Sequence, residues 1–225
     1  MCVTTAQKLF ICVTYFAIMK ELFSTVIGSH MWGMERPDSD MDIFVCNIAP
    51  SKDILLGNQF KSVVTHVRCD NVDMTEHELG KVVSMLLKGN VNFIWGLTSP
   101  NVTSTSPAHK ELLTIYKQQM SKNCFHSISG LFKHNYKDYI DKVKKPKPKR
   151  IWMLYRTLQF GMNLLDTGTL EYRPVATEIS VKQLDDALSD LKSAYEASDL
   201  PEEPDSTHYM EFLYKWRILE LCSVV

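Results

Sequence analysis

The segment Ser39-Asp40-Met41-Asp42-Ile43-Phe44-Val45-Cys46 constrains this chain more than any other stretch. Two carboxylates one residue apart run directly into an apolar, β-rich sequence that ends before Pro50. Residues 41–48 therefore read as a strand. Side chains on a strand alternate faces, so Asp40 and Asp42 project to the same side, with Cα atoms roughly 6–7 Å apart. Two anions so placed repel unless something positive sits between them. Hard divalent cations take such oxygens, and Mg²⁺ in particular combines one or two carboxylates with substrate phosphates. The spacing suits two ions about 3.5–4 Å apart. An isolated Asp-x-Asp is also what a solvated strand end carries, so the flanking residues decide its meaning.

Those residues point the same way. Gly28 can adopt backbone angles other residues avoid and lets a phosphate approach closely. Ser29 offers a hydroxyl and a backbone N–H, and consecutive N–H groups make an anion nest. Gly33 keeps the following turn tight, and Pro37-Asp38-Ser39 turns the chain into the aspartate strand. Trp32, inside the same turn, is the tryptophan best placed to meet a nucleotide. His30 is assigned to the surface. A phosphate cradle followed by a metal-binding pair makes a coherent triphosphate site.

The remainder of the chain supplies the frame. Residues 4–20 have helical spacing behind Thr4 or Thr5, and 22–27 read as a short strand or helix end running into Gly28. Residues 61–69 and 71–75 read as extended. Residues 76–90 read as a helix with Leu79, Val82, Val83, Leu86 and Leu87 on one side, closed by Gly89-Asn90. Beyond Pro107 apolar residues recur at helical intervals through 108–120, 124–142, 151–166, 180–196 and 206–222, punctuated by prolines. The expected fold is α+β: a small α/β domain with a mixed sheet over 1–107, then an all-helical domain over 108–225.

Composition excludes some partners. Lys and Arg total 25 against 26 Asp and Glu, a net charge of −1, so any nucleic-acid contact must come from a local basic patch. The dense basic run is Lys142, Lys144, Lys145, Lys147, Lys149 and Arg150, which its prolines should hold extended. Lys149 and the isolated Arg156 are the candidates to reach a triphosphate, with Lys81 a weaker one. Trp95, Trp152 and Trp216 are assigned to the core. Cys2, Cys12, Cys46, Cys69, Cys124 and Cys222 form no Cys-x-x-Cys pair, which argues against a zinc cluster and for a reducing compartment. The apolar run 9–19 is shorter than the about 20 residues a membrane-spanning helix needs and has no signal-peptide flanks. A cytoplasmic protein without a membrane partner is expected.

The stretch GSHMWGMERPDSDMD resembles the signature of the DNA polymerase β-type nucleotidyltransferases, and in detail their RNA-repair-associated RlaP/YcgL-like group. Two further blocks carry the likeness: VDMTEHELGKVVSMLLKGNVN (72–92) and KPKRIWMLYRTLQFGMNLLDTGTL (147–170). The sequence departs from the group at Val91, where proline is usual, and at Trp95, near a usual glutamate. The resemblance implies a third carboxylate on a neighbouring strand and aligns Asp73 with it. Asp73 lies between Val72 and Met74, a pattern that suits an inward-facing acid. Asp70, Glu76 and Glu78 are the rivals, with Glu78 better suited to starting a helix. The implied enzyme holds two Mg²⁺ ions, or Mn²⁺, on Asp40, Asp42 and Asp73. It binds an NTP through Gly28, Ser29, Trp32, Gly33, Lys149 and Arg156, and transfers a nucleoside monophosphate to an acceptor hydroxyl. An RNA or tRNA 3′ end is the first acceptor to consider. A protein hydroxyl, as in antitoxin-like relatives, is the second, and a catalytically idle nucleotide-binding module is the third reading.

Overall fold

Five strands form one mixed sheet in the computed structural model, which describes residues 19–67, 71–176 and 178–223. They are β1 (Lys20–Ile27), β2 (Met41–Ile48), β3 (Val63–Val67), β4 (Val72–Glu78) and β5 (Val102–Ser104). Their order is β3-β4-β2-β1-β5. β2 and β4 run parallel, and the other neighbours are antiparallel. Around the sheet lie the short α1 (Gly28–Met31) and α2 (Ser51–Leu55), then α3 (Leu79–Leu87) and α4 (Val91–Thr98). A run of longer helices follows: α5 (Pro107–Gln118), α6 (Cys124–Tyr136), α7 (Pro148–Thr167), α8 (Val181–Ala197) and α9 (Ser206–Cys222). α6 continues into a π-helical turn, Lys137–Asp141. The architecture is α+β, a mixed sheet followed by helices.

The core forms where the alternation of β2 meets the helical stripes. Phe44 and Cys46 are buried on the face that also carries Phe23 of β1 and His77 of β4. α4 lies directly on this face. A Cβ at Gly96 would stand 2.4 Å from the Phe44 ring, so only glycine permits the approach. The buried Thr25 hydroxyl is satisfied there by donating to the Gly96 carbonyl at 2.6 Å. α3 buries Leu79, Val82, Val83 and Leu86, the stripe its periodicity predicts. One apolar cluster runs from these residues through Leu112, Ile128, Leu158 and Leu191 to Phe212. Each such side chain stabilises the fold by about 1.5–3 kcal/mol on burial.

Several boundaries differ from expectation, for physical reasons. Residues 76–78 stay in β4, because the parallel ladder with β2 extends to the Asn47–Glu78 pair, and the helix begins at Leu79. The basic connector is not extended to its end: Pro148 is the first residue of α7, so Lys149 and Arg150 already belong to that helix. Proline suits this position because its φ is preset and its missing N–H would have had no helical partner. α2 and α4 were not expected. The first is too short to show a period, and the second buries nearly every side and so shows no polar face. The helix expected over 4–20 lies outside the described residues except at its end, where Lys20 opens β1. Cys2, Cys12, Cys69 and Asp70 also lie outside them. Among the described residues no helix is long and apolar enough to cross a membrane.

Candidate functional site

The site forms where β1 ends and β2 and β4 begin. Ile27 pairs with Asp42 across the antiparallel ladder, and Asp42 pairs with Asp73 across the parallel one. Residues opposite each other in a ladder share a face, so Asp42 and Asp73 project together. Glu76, three residues beyond Asp73, falls on the opposite face and accepts from the Asn47 side-chain amide at 2.8 Å. Glu78 is committed elsewhere: its carboxylate caps α3 by accepting from the Gly80 N–H at 2.7 Å and pairs with Arg217. Asp73 is thus the described acidic residue of β4 that shares the Asp42 face.

Gly28 is fixed by Asp42. Its φ is +67°, and a Cβ there would lie 2.0 Å from the Asp42 Oδ2 atom. The glycine keeps α1 and the carboxylate in contact. The chain then turns, with the Ser29 carbonyl accepting from Trp32 N–H at 3.2 Å and Met34 N–H at 3.1 Å. At the predicted Pro37-Asp38-Ser39 turn the Ser39 hydroxyl accepts from the Arg36 N–H at 2.9 Å, and the Ser39 N–H donates back to Arg36 at 2.9 Å. Arg36 lies over the Trp152 ring at 5.5 Å, which ties this loop to α7.

Across from the carboxylates stands one face of α7. Lys149, Trp152, Met153 and Arg156 follow helical spacing and, with Gly28, Ser29, Met34, Asp40, Asp42 and Arg150, line a cavity of about 160 Å³. Burial and the charges of Asp73 and Asp40 raise the Asp42 pKa above the usual carboxylate value, while His30 and Lys149 oppose the rise. Arg156 is 8 % exposed, and burial pushes its pKa down to about 10, with Asp42 pulling it back up. It remains a cation at neutral pH. Its guanidinium lies over the Trp32 ring at 5.2 Å, and its Nε is buried without a hydrogen-bond partner.

The chain matches the RlaP family, described as the RNA repair pathway DNA polymerase beta family, over residues 12–211. It belongs to that family. The family is one of polymerase β-type nucleotidyltransferases. An uncharacterized protein of Methanocaldococcus jannaschii is 29% identical over 153 residues, covering 65% of this chain and 61% of the relative. The chain therefore spans less than two thirds of that relative's length. A crystal structure of a nucleotidyltransferase-like protein from Exiguobacterium sibiricum 255-15 aligns with a TM-score of 0.33 at 10% identity, covering 93% of this chain and 78% of the other.

For this family member, the structure gathers Gly28, Ser29, Asp40, Asp42, Lys149 and Arg156 around one cavity, with Asp73 beside Asp42. It places Trp32 and Gly33 differently. Trp32 is only 3 % exposed and packs edge-on against Trp95, Phe160 and Tyr172, so it backs Arg156 instead of facing the cavity. Gly33 has φ +61° and lies against Pro174, away from the carboxylates. His30 is half-buried, not a surface residue, and its Nε2 is buried without a partner. Lys81 donates to the Ser62 hydroxyl at 2.7 Å, outside the cavity. Sequence reasoning missed Met34 and Met153, named Arg150 only as part of the basic run, and assigned Trp152 to the core. The signal was present: 149, 152, 153 and 156 form one helical stripe once Pro148 is read as a helix start. Both departures from the family pattern have structural uses. The Val91 N–H donates to the Ser127 hydroxyl at 3.0 Å, a bond proline cannot make, and Trp95 supports Trp32.

Proposed function

We propose that this chain is a Mg²⁺-dependent nucleotidyltransferase that moves a nucleoside monophosphate from an NTP to an acceptor hydroxyl, with an RNA or tRNA 3′ end as acceptor. One observation carries the reading. Three carboxylates crowd one end of the sheet, and a cavity separates two of them from Lys149 and Arg156. A carboxylate whose pKa is raised by burial and by two neighbouring acids calls for a cation, and hard oxygen donors select Mg²⁺ or Mn²⁺. Among the described residues no three acidic, imidazole or thiolate groups already converge as a finished metal cage. The fit therefore rests on donor chemistry and register, as for sites that share their ions with substrate phosphates. Asp40, Asp42 and Asp73 would hold the ions. Bound there, two ions would acidify the attacking hydroxyl and neutralise the departing pyrophosphate.

The protein's own part is positioning and charge. Gly28 and Ser29 hold the β- and γ-phosphates on one side, and Lys149 meets them from the other. Arg156 faces Asp42 as a desolvated cation, a setting in which charge stabilisation is strong. The acceptor oxygen attacks the α-phosphorus in line from the Asp73 side. A new P–O bond forms, the acceptor hydroxyl's proton passes to solvent, the bond from the α-phosphorus to the bridging oxygen breaks, and pyrophosphate leaves. The basic residues beside the cavity, Lys149 and Arg150, suit a local RNA contact on an otherwise neutral protein.

The test uses each α-labelled NTP with Mg²⁺ and either total tRNA or cell lysate, beside an Asp40→Ala/Asp42→Ala control. Aspartate-dependent label on RNA supports the reading. Label on protein keeps the chemistry and moves the acceptor to a protein hydroxyl. No aspartate-dependent label on either overturns it.

A further inference from the structure

A second compartment lies along α7 beyond Arg156. Its volume is about 410 Å³, and Arg156 is a wall of both it and the carboxylate cavity. The stripe that carries Lys149, Trp152 and Arg156 continues as Gln159 and Asn163. At 1.5 Å per residue, Asn163 lies roughly 10 Å along the helix from Arg156. Ligand pockets typically measure about 300–1,000 Å³, so the 160 Å³ carboxylate cavity is small for a whole nucleotide, whereas the two compartments together are not.

Resting on the reading above, we propose that this second compartment binds the base of the donor nucleotide, so that the NTP lies along α7 with its phosphates at Asp42 and its base between Gln159 and Asn163. The lining matches a base edge. Gln159 donates its amide N–H to the Tyr155 hydroxyl at 3.1 Å, and Asn163 donates to Glu171 at 3.3 Å, which anchors both amides on this wall. Trp32 and Arg156 belong to the same walls, and the Nε1 of the one and the Nε of the other are buried without a partner. Buried N–H groups are rarely left unpaired without a functional reason. Gln159 and Asn163 each carry both amide donors and a carbonyl acceptor, the mixed groups a base edge complements. Pro174, Val175 and Ala176 add an apolar surface for the base.

The inference separates base binding from phosphate binding. Affinities of the full chain for the four NTPs and for tripolyphosphate would be measured in Mg²⁺, for the unaltered protein and for Gln159→Ala and Asn163→Ala. Each variant should weaken its preferred NTP about tenfold, a lost hydrogen bond to a desolvated group, and leave tripolyphosphate unchanged. The preference among the four bases should flatten. Circular dichroism melts check that both variants are folded; an unfolded one is replaced by Asn163→Asp or Gln159→Glu. Equal loss for NTP and tripolyphosphate, no loss for either, or a change confined to the acceptor's KM would each overturn the proposal. The last would make the compartment an acceptor site. Failure of the transferase reading appears separately, as transfer that does not depend on Asp40 and Asp42.

Discussion

Arg217 and Arg156 are both largely buried, both lie on long C-terminal helices, and both approach acids of the same sheet. Their surroundings differ. Arg217 of α9 donates to the Ala49 carbonyl at 3.1 Å and pairs with Glu78, whose other oxygen caps α3. Every charge there has an internal partner, so the arrangement is closed. Arg156 of α7 rests on Trp32 with its Nε unpaired and faces a carboxylate across a cavity. The first pair ties α9 to the start of α3. The second leaves charge complementarity unfilled, the state expected of a site that receives a charged ligand.

The strongest way to break this comparison is to remove one charge from each arrangement, Asp42 from the open one and Arg217 from the closed one. Asp42→Asn should lower nucleotidyl transfer on the order of 10³-fold, the scale of losing a principal charge-stabilising group. Its melting temperature should stay level or rise, because Asp42 is held above its ordinary pKa by burial and by Asp73 and Asp40, and so opposes folding when ionised. Arg217→Met should do the reverse. Leaving Glu78 buried and unpaired should cost about 3 kcal/mol in denaturant unfolding, while the folded fraction keeps its specific activity. If Arg217→Met abolished transfer without destabilising the protein, the contrast would be lost.

A smaller effect sharpens the open site. Gly28→Ala places a Cβ against the Asp42 carboxylate at a positive φ, which costs about 1–2 kcal/mol in backbone strain alone. Transfer should fall more than stability does, since Asp42 must move; equal loss in both would make Gly28 merely structural. Smallest is the pH response of β4 between the two sites. Burial pulls the His77 pKa from 6.5 to about 4, with Lys81 adding to the fall. The folded protein thus favours neutral His77, and its stabilising share is complete above pH 6.5 and lost as pH falls toward 4. His77→Gln should flatten the melting temperature against pH across that window. An unchanged slope would assign the acid response to other groups.

Much of this was legible along the chain. The Gly28-Ser29 turn, the Asp40–Asp42 strand, the α3 stripe and the caps at Gly89 and Glu78 all follow from local rules of period, turn chemistry and capping. Those rules act within a few residues, which is the range a sequence displays directly. Asp73 was favoured over Asp70, Glu76 and Glu78 by its apolar neighbours and the family resemblance, and the parallel register sets it beside Asp42 while Glu76 and Glu78 fall on the other face. Trp152 was misplaced because an aromatic on a helix gives no local sign of whether its face meets core or cavity. Trp32 shows the converse, since its place in a glycine-flanked turn did not reveal the aromatic cluster that buries it.

The sequence by itself determined most strands and helices, the paired aspartates and the family, because period, turn residues and motif order are written in consecutive positions. Only the tertiary structure decided which acid of β4 shares the Asp42 face, which arginine is satisfied and which is left open, and that Lys149 and Arg156 line one cavity with Asp40 and Asp42. Those outcomes depend on ladder register and helix docking, which join residues as distant as Ala49 and Arg217, 168 positions apart. No local preference encodes that distance; burial of the shared core does.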